Sequence, residues 1–369
     1  MSNPFPQGIV PITGSSLGPL TGLGTSIADN TRALVSGASQ QFSANLQQQI
    51  GLWTVQFGYL GNHGLHLPAD YAYHHLPQTD LTQGKALLNV VANPYSAIIK
   101  NGSLSAATIQ QGQLEMNYPQ FTGVTSMINW AGSNYNAGTV QVQRNFVKGF
   151  SLLASYTWSK LLDNNLGNGE NAFADTGSNT VQNWDNLRAE KAVSTSNLPN
   201  RLVISSTFLL PVGQNGSRMY RALLGGWQLN GIFTAESGNV ISVTANAPSY
   251  GGARPNLVGN PSLANPGPNQ WLNATAFQNI PAFTYGNAPR TLPNTRTQAY
   301  VNLDGGLVKG FTVHDRYHFD LRMEAFNSLN STTFGIPDSN INDKAFGRIT
   351  TLRTGSAPRV LQFAFKSTF

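Results

Sequence analysis

Apolar and polar residues alternate along several stretches of this chain, most clearly near its end. From Tyr317 to Ala325 the odd positions are apolar or aromatic, and the even positions are His318, Asp320, Arg322 and Glu324. The final segment repeats the pattern, and its apolar positions are Leu361, Phe363, Phe365 and Phe369. Successive side chains of a β-strand point to opposite faces, so this period of two predicts strands with one apolar and one polar face.

The alternation recurs in about nine segments of roughly ten residues, the length that a tilted strand needs to cross a hydrocarbon layer. The segments are residues 41–50, 52–60, 139–146, 150–162, 201–210, 227–236, 300–309, 316–327 and 361–369. Short or modest links join them into hairpins, and the hairpins are separated by stretches rich in Gly, Asn, Pro and Ser. These long stretches are residues 61–136, 163–200, 237–298 and 328–357.

Short turns at one end of the strands and long loops at the other are typical of an outer-membrane barrel, with the turns in the periplasm and the loops outside the cell. A soluble sandwich has short loops at both ends. The sequence therefore predicts an all-β fold: an antiparallel transmembrane β-barrel portion of about nine strands, with short periplasmic turns and long extracellular loops.

The composition favours the same fold class. Only 10% of the residues are Asp, Glu, Lys or Arg, whereas a soluble globular chain carries about 25%. A barrel shows half of each strand to lipid, where a charge costs about 2 to 4 kcal/mol at the midplane. The net charge of +6 is scattered, which argues against nucleic-acid binding, and the absence of cysteine excludes disulfides and thiolate sites.

Aromatic residues near the ends of the segments fit a membrane interface. They are Tyr59, Trp158, Trp227 and Tyr300, together with the terminal Phe369. Trp and Tyr are enriched where a barrel wall meets the headgroups. The alternative is that aromatic residues simply favour strands, whatever surrounds them.

Three groups of residues could carry chemistry, and each has a plainer interpretation. The set His318, Asp320, Arg322 and Glu324 could act in acid–base catalysis, but a polar lumen wall needs only that these charges avoid lipid. His63, His66, His74, His75 and Asp70 could bind a metal, but no regular spacing supports a site, and a solvated loop is favoured. Ser16 lies in a Gly-x-Ser-x-Gly run without the flanking strand and helix that a nucleophile elbow requires. We expect no catalytic, cofactor or metal site, and no enzyme.

Several motifs together resemble a known family. They are Ala154-Ser155-Tyr156-Thr157-Trp158-Ser159-Lys160, Leu224-Gly225-Gly226-Trp227-Gln228-Leu229-Asn230-Gly231-Ile232 and Phe346-Gly347-Arg348-Ile349, with Tyr135-Asn136-Ala137 and Lys148-Gly149-Phe150. The chain is similar to the C-terminal barrel of the Oar-like TonB-dependent receptors found in Acidobacteria. The resemblance implies an outer-membrane location and energised uptake of an extracellular compound through a barrel that an N-terminal plug occludes.

The resemblance also implies partners. Phe363, Phe365 and Phe369 are similar to the C-terminal signal that the barrel assembly machinery recognises on a last strand. Outer-membrane lipid and an unidentified extracellular ligand are further expected partners, and TonB would act only through an N-terminal part. The alternatives are a passive porin-like or structural barrel, or a secreted β-rich adhesin or carbohydrate-binding module.

The beginning of the chain gives a further expectation. Residues 1–40 do not alternate and contain neither a signal peptide nor a plug or TonB box. Nine strands are odd, whereas bacterial single-chain barrels have an even number. We therefore expect a fragment that does not close alone, in which residues 1–40 are the remnant of an extracellular loop and residues 41–369 are a partial TonB-dependent receptor-like barrel.

Overall fold

In the described part of the chain, nine long strands pair in order to form the main sheet. The computed structural model describes residues 18–100, 102–164, 181–213, 217, 220, 224–313 and 317–368. The strands are β1 Ala38–Ile50, β2 Trp53–Ala72, β3 Gly123–Val147, β4 Phe150–Asp163, β5 Asn200–Leu209, β6 Trp227–Glu236, β7 Tyr300–Val313, β8 Tyr317–Phe326 and β9 Val360–Thr368.

The pairing is that of a meander. β1 pairs antiparallel with β2, β2 is the hydrogen-bonded neighbour of β3, and each strand from β3 to β8 pairs antiparallel with the next. In the described part of the chain, the path ends at β1 on one side and at β9 on the other. No helix among the described residues is long and apolar enough to span a membrane.

Each of the nine predicted segments overlaps one of these strands, and the bounds of β6 are as predicted. The prediction was wrong for the ends of the stretch 61–136, because β2 continues to Ala72 and β3 begins at Gly123. The run Gly61-Asn62-His63-Gly64 is small or polar at every position. Backbone pairing continues there although the two faces of the strand do not differ in polarity. A prediction based on alternating polarity therefore ends the strand too early.

The turn between β3 and β4 shows why the register of this hairpin is fixed. Lys148 and Gly149 both have a positive φ, of 53° and 78°. Two left-handed central residues form a type I′ turn, whose twist matches that of an antiparallel hairpin. Gly149 takes this conformation without strain, and the pairing Val147↔Phe150 follows directly.

One of two compact units consists of residues 1–34 and 70–128. Within it, Ser26–Asn30 pairs parallel to the beginning of β3. The strands Val90–Ala92 and Thr108–Gln110 form a hairpin, and Asn93 donates to the carbonyl oxygens of Leu104 and Ala106 at 2.8 and 2.7 Å. Residues 26–30 are thus ordered within the predicted loop remnant 1–40, whose extracellular location stays a prediction. The helical segments of this unit are Gly18–Leu20, Gln78–Leu88, Ser103–Ser105 and Gln111–Leu114.

The other unit contains most of the main sheet and a set of connections that fold together. The sequence predicts long loops here but not the paired strands and the buried core that these connections contain. We call them the loop cluster, defined as residues 181–199, 237–299 and 327–359. Its strands are Ala192–Val193, Val240–Ile241, Asn256–Leu257, Ser262–Gly267, Gln270–Leu272, Phe277–Gln278 and Leu292–Arg296, and its 3₁₀ helices are Leu187–Glu190 and Ala274–Ala276.

Candidate functional site

The register of β8 and β9 separates two kinds of side chain. Leu321 pairs with Phe365, and Met323 pairs with Phe363. Paired residues lie on the same side of an antiparallel sheet, so these apolar side chains share one side. Phe319 stacks on both Phe311 and Phe365, with ring centroids 5.2 and 5.7 Å apart. The apolar side is therefore a continuous band across β7, β8 and β9.

The opposite side carries the predicted pore-wall residues. Asp320 pairs with Lys366, and Glu324 pairs with Gln362. An oxygen of Asp320 lies 3.8 Å from a nitrogen of Arg322, and the imidazole of His318 lies 2.9 Å from the hydroxyl of Thr312. The structure thus brings the four predicted residues onto one polar side. Their location in a lumen stays a prediction.

The C-terminal residues are placed in part. Phe363 and Phe365 are 72% and 61% exposed on the apolar side of β9. Phe369, the third residue of the predicted assembly signal, lies outside the described residues. Two large rings exposed on a strand at the end of the sheet path require a covering that the described residues do not supply.

The predicted interfacial aromatic residues fall into two groups. Tyr59 and Trp158 are 45% and 67% exposed, and the Lys309 ammonium lies 5.6 Å from the ring centre of Trp227. Two of these residues thus have an exposed ring and the third has a cation beside its ring, and their location at a membrane interface stays a prediction. Tyr300 differs, because it pairs with Glu236 on the polar side and lies under the guanidinium of Arg353 at 4.8 Å.

A hydrophobic core holds the loop cluster together. Phe277 and Phe346 meet edge to face with ring centroids 5.6 Å apart, which joins residues from two different loops. Burying a large aliphatic or aromatic side chain contributes about 1.5 to 3 kcal/mol, so a core of seven residues is enough to fix these loops in one arrangement. The core residues are Ile241, Val243, Leu272, Ala276, Phe277, Leu292 and Phe346.

Two buried ion pairs fix the loop cluster to the end of β4. Arg290 donates to the carboxylate of Asp163 and, through Nε, to the carbonyl oxygen of Glu190 at 2.9 Å. Arg254 donates to the carboxylate of Glu190, whose other oxygen accepts from the backbone N–H of Gln182 at 3.2 Å. All four charged side chains are at least 93% buried. The pairs therefore form one hydrogen-bonded group rather than two surface contacts.

Sequence analysis missed these four residues. Their signal was present but weak: charged residues are rare in this chain, and these four lie in or beside neutral loops rich in Gly and Asn. A charged side chain in such a loop has to be either exposed or paired. The sequence does not say which acidic residue meets which basic residue across more than 60 positions.

A cavity of about 580 Å³, cavity A, lies between the loop cluster and the ends of β6 and β7. Arg353 forms part of its wall, lying 3.6 Å from the carboxylate of Glu236, which also accepts from Arg201 at 2.8 Å. Burial lowers the pKa of Arg296, which donates to the carbonyl oxygen of Gly238 in the wall at 3.1 Å. The other side chains that line the cavity include Tyr300, Phe334, Ile336, Leu352 and Ser356.

The remaining candidates do not form a site. The imidazole of His75 lies 2.8 Å from the carbonyl oxygen of Ala72, and that of His74 lies 3.2 Å from the carbonyl oxygen of Asn117. Among the described residues, no group of three or more His, Asp or Glu side chains could hold a metal ion. Ser16 lies outside the described residues.

Comparison with known proteins was made by sequence and by fold. Residues 1–362 match a family model described as an outer membrane beta barrel domain. No curated protein matches the sequence. Among solved structures, the chain is similar to the outer membrane transporter YddB from Escherichia coli, with 8% identity and a TM-score of 0.45 over 94% of this chain and 34% of the other.

Two further solved structures are similar at the same level. They are BauA, the ferric preacinetobactin receptor from Acinetobacter baumannii (10% identity, TM-score 0.41, 92% of this chain and 32% of the other), and the pyoverdine receptor FpvA from Pseudomonas aeruginosa (11% identity, TM-score 0.41, 92% and 31%). The chain spans about a third of the length of these three structures.

Proposed function

Because this chain belongs to the outer membrane β-barrel domain family, we propose that it forms part of the wall of a TonB-dependent transporter for an extracellular ligand. The protein is located in the outer membrane, as its family is. A secreted soluble adhesin does not fit this family. The observation that supports a transport role is the separation of an apolar from a polar side along β8 and β9, since a wall between lipid and water needs both.

The loop cluster is the part of the molecule that we assign to ligand capture. Long loops of outer-membrane barrels face the outside of the cell. Here they have a core of their own, and cavity A is formed before any ligand arrives. A preformed cavity loses less conformational entropy on binding than a flexible loop does. The identity of the ligand stays open.

Energy coupling through TonB is proposed from the resemblance to Oar-like receptors, in which a plug and a TonB box precede the barrel. The runs 154–160 and 224–232, which carry this resemblance, lie in β4 and at the start of β6. The barrel assembly machinery is the proposed partner of β9. A passive porin-like barrel is the alternative, since diffusion needs only a polar wall.

A genetic test distinguishes a TonB-coupled transporter from a passive barrel. Cells that lack the gene are grown in competition with wild-type cells in the natural medium, once in a TonB-positive and once in a tonB-null background. We expect the loss of the gene to reduce growth only when TonB is present, because an uncoupled transporter contributes nothing in its absence. A growth defect of the same size in both backgrounds would identify a passive pore.

A further inference from the structure

A second cavity, of about 510 Å³, lies where the loop ends of β2, β3 and β4 meet the helix Leu187–Glu190. We call it cavity B. It is separate from cavity A and shares no residue with it. The side chains that matter for its chemistry are Leu65, Trp130, Asn134, Asn164, Arg188 and Lys191.

One wall of cavity B is held in place by hydrogen bonds. The side-chain oxygen of Asn164 accepts from the backbone N–H of Gly132 at 2.6 Å, and its amide donates to the carbonyl oxygen of Trp130 at 3.2 Å. The indole of Trp130 meets that of Trp184 edge to face, with ring centroids 6.2 Å apart. The cavity therefore has a polar and aromatic wall that exists without a ligand.

The register of β3 and β4 shows on which side of the sheet Asn134 of cavity B lies. Asn134 pairs with Leu162, two residues further Asn136 pairs with Lys160, and two residues further still Gly138 pairs with Trp158. Side chains at intervals of two share one side of a strand. Asn134 of the cavity thus lies on the same side as the exposed ring of Trp158, which is the side that we assign to lipid.

The hydrogen bond of Tyr59 indicates where along the strands the membrane interface would lie. The phenol of Tyr59 donates to Asn136 at 2.7 Å while its ring stays exposed. A Tyr with an apolar ring and a hydrogen-bonded hydroxyl is typical of the membrane interface. Lys160 is exposed and pairs with the same Asn136, so its charge lies at that level. Arg188 and Lys191 lie beyond it, towards the loops.

Three positive charges here have no ion-pair partner among the described residues. Lys160, Arg188 and Lys191 are exposed, and no salt bridge joins any of them to another of the described residues. The two nearest acidic groups along the chain, Asp163 and Glu190, are buried and already bound to arginines. Three cations at this level and just beyond it, beside a preformed cavity, are complementary to anionic groups at the surface of a membrane.

We propose that cavity B, together with Lys160, binds the phosphate groups of an anionic glycolipid of the outer leaflet, with the acyl chains of that lipid against the Trp158 side of the sheet. This inference rests on the proposed orientation, with the loop cluster outside the cell. Because a lipid can bind to a passive barrel as well as to a TonB-coupled one, it does not depend on energy coupling.

The test uses the protein extracted from its own outer membrane in a mild detergent, with diphosphoryl lipid A as the probe and native mass spectrometry as the measurement. The variant is Lys160→Gln, Arg188→Gln and Lys191→Gln combined. The control, Lys344→Gln, Arg348→Gln and Lys366→Gln combined, removes three exposed cations elsewhere. Each cation near an anionic surface contributes about fivefold in affinity, so we expect about a hundredfold weaker binding in the variant and no change in the control.

Two further arms make the result decisive. Resistance to trypsin in detergent shows whether the variant is folded, and inorganic phosphate is tested as a competitor. Retention of lipid A by a folded triple variant would overturn the proposal. So would displacement of the lipid by millimolar inorganic phosphate, which would identify a site for small free anions. The genetic test examines energy coupling through TonB, whereas the lipid A test examines cavity B. Either result can be negative while the other is positive, so the failure of one proposal is distinguishable from the failure of the other.

Discussion

Replacing Arg290 by Met is expected to destabilise the loop cluster by about 3 to 5 kcal/mol. The guanidinium of Arg290 is 98% buried and is the hydrogen-bonded partner of the buried Asp163 carboxylate, whose second oxygen has no hydrogen-bond partner among the described residues. Met fills a similar volume without a charge, so the substitution leaves a buried carboxylate alone. Proteinase K digestion of intact cells measures the effect, as the rate at which the loop cluster is cut.

The control for this prediction is the double variant Asp163→Leu with Arg290→Met. Removing both charges leaves no unpaired ion, and an apolar pair of similar size can be as stable as a buried ion pair. We expect the double variant to resist proteolysis better than Arg290→Met alone. Equal resistance of Arg290→Met and the wild type would show that the pair does not hold the loops.

The second large effect concerns the apolar side of β8. Leu321→Arg places a charge in the middle of the exposed apolar band, where it costs about 2 to 4 kcal/mol at the bilayer midplane. We expect a marked loss of the protein from the outer membrane and a matching rise in periplasmic degradation, measured by immunoblotting of membrane fractions.

Gln362→Arg is the matched control, because it adds the same charge on the polar side of β9, opposite Glu324. A charge in an aqueous lumen costs little, and this one faces an acidic partner, so the level in the outer membrane should stay close to that of the wild type. If both variants are lost to the same extent, the two sides of the sheet do not differ in their surroundings.

The strands could be predicted because the membrane imposes a strong rule on them. Where one side faces lipid and the other water, every second residue is apolar, and β8 follows this rule from Tyr317 to Ala325 and β9 from Leu361 to Phe365. In the run Gly61-Asn62-His63-Gly64 the two sides of the strand do not differ in polarity, so the signal is absent there. The extension of β2 as far as Ala72 was missed for this reason.

The loop cluster could not be predicted, for a different reason. Its core is assembled from single apolar residues far apart in the sequence, such as Ile241, Leu292 and Phe346, and no local period connects them. Its ion pairs join Asp163 to Arg290 and Glu190 to Arg254, and each basic residue could have met another acid or the solvent. Only a three-dimensional arrangement decides between such pairings.

Tyr300 could be predicted in part: its place in a strand was predicted, and the side of the sheet that it faces was not. Its place near the end of β7 suggested an interfacial ring, and an aromatic residue at a strand end does not reveal which side it faces. The register opposite Glu236 puts Tyr300 on the polar side, where its ring supports Arg353 in the wall of cavity A. The pairing with a neighbouring strand shows which side such a residue faces, and the sequence of its own strand does not.

The central claim is that β8 separates lipid from water, and labelling of single cysteines tests it most directly. The natural chain has no cysteine, so each variant carries only one. Cysteines are placed in turn at positions 319 to 324 of the protein in its outer membrane and exposed to a membrane-impermeant maleimide. We predict strong labelling at the positions of Asp320, Arg322 and Glu324 and weak labelling at those of Phe319, Leu321 and Met323. Equal labelling at all six positions would contradict the barrel wall.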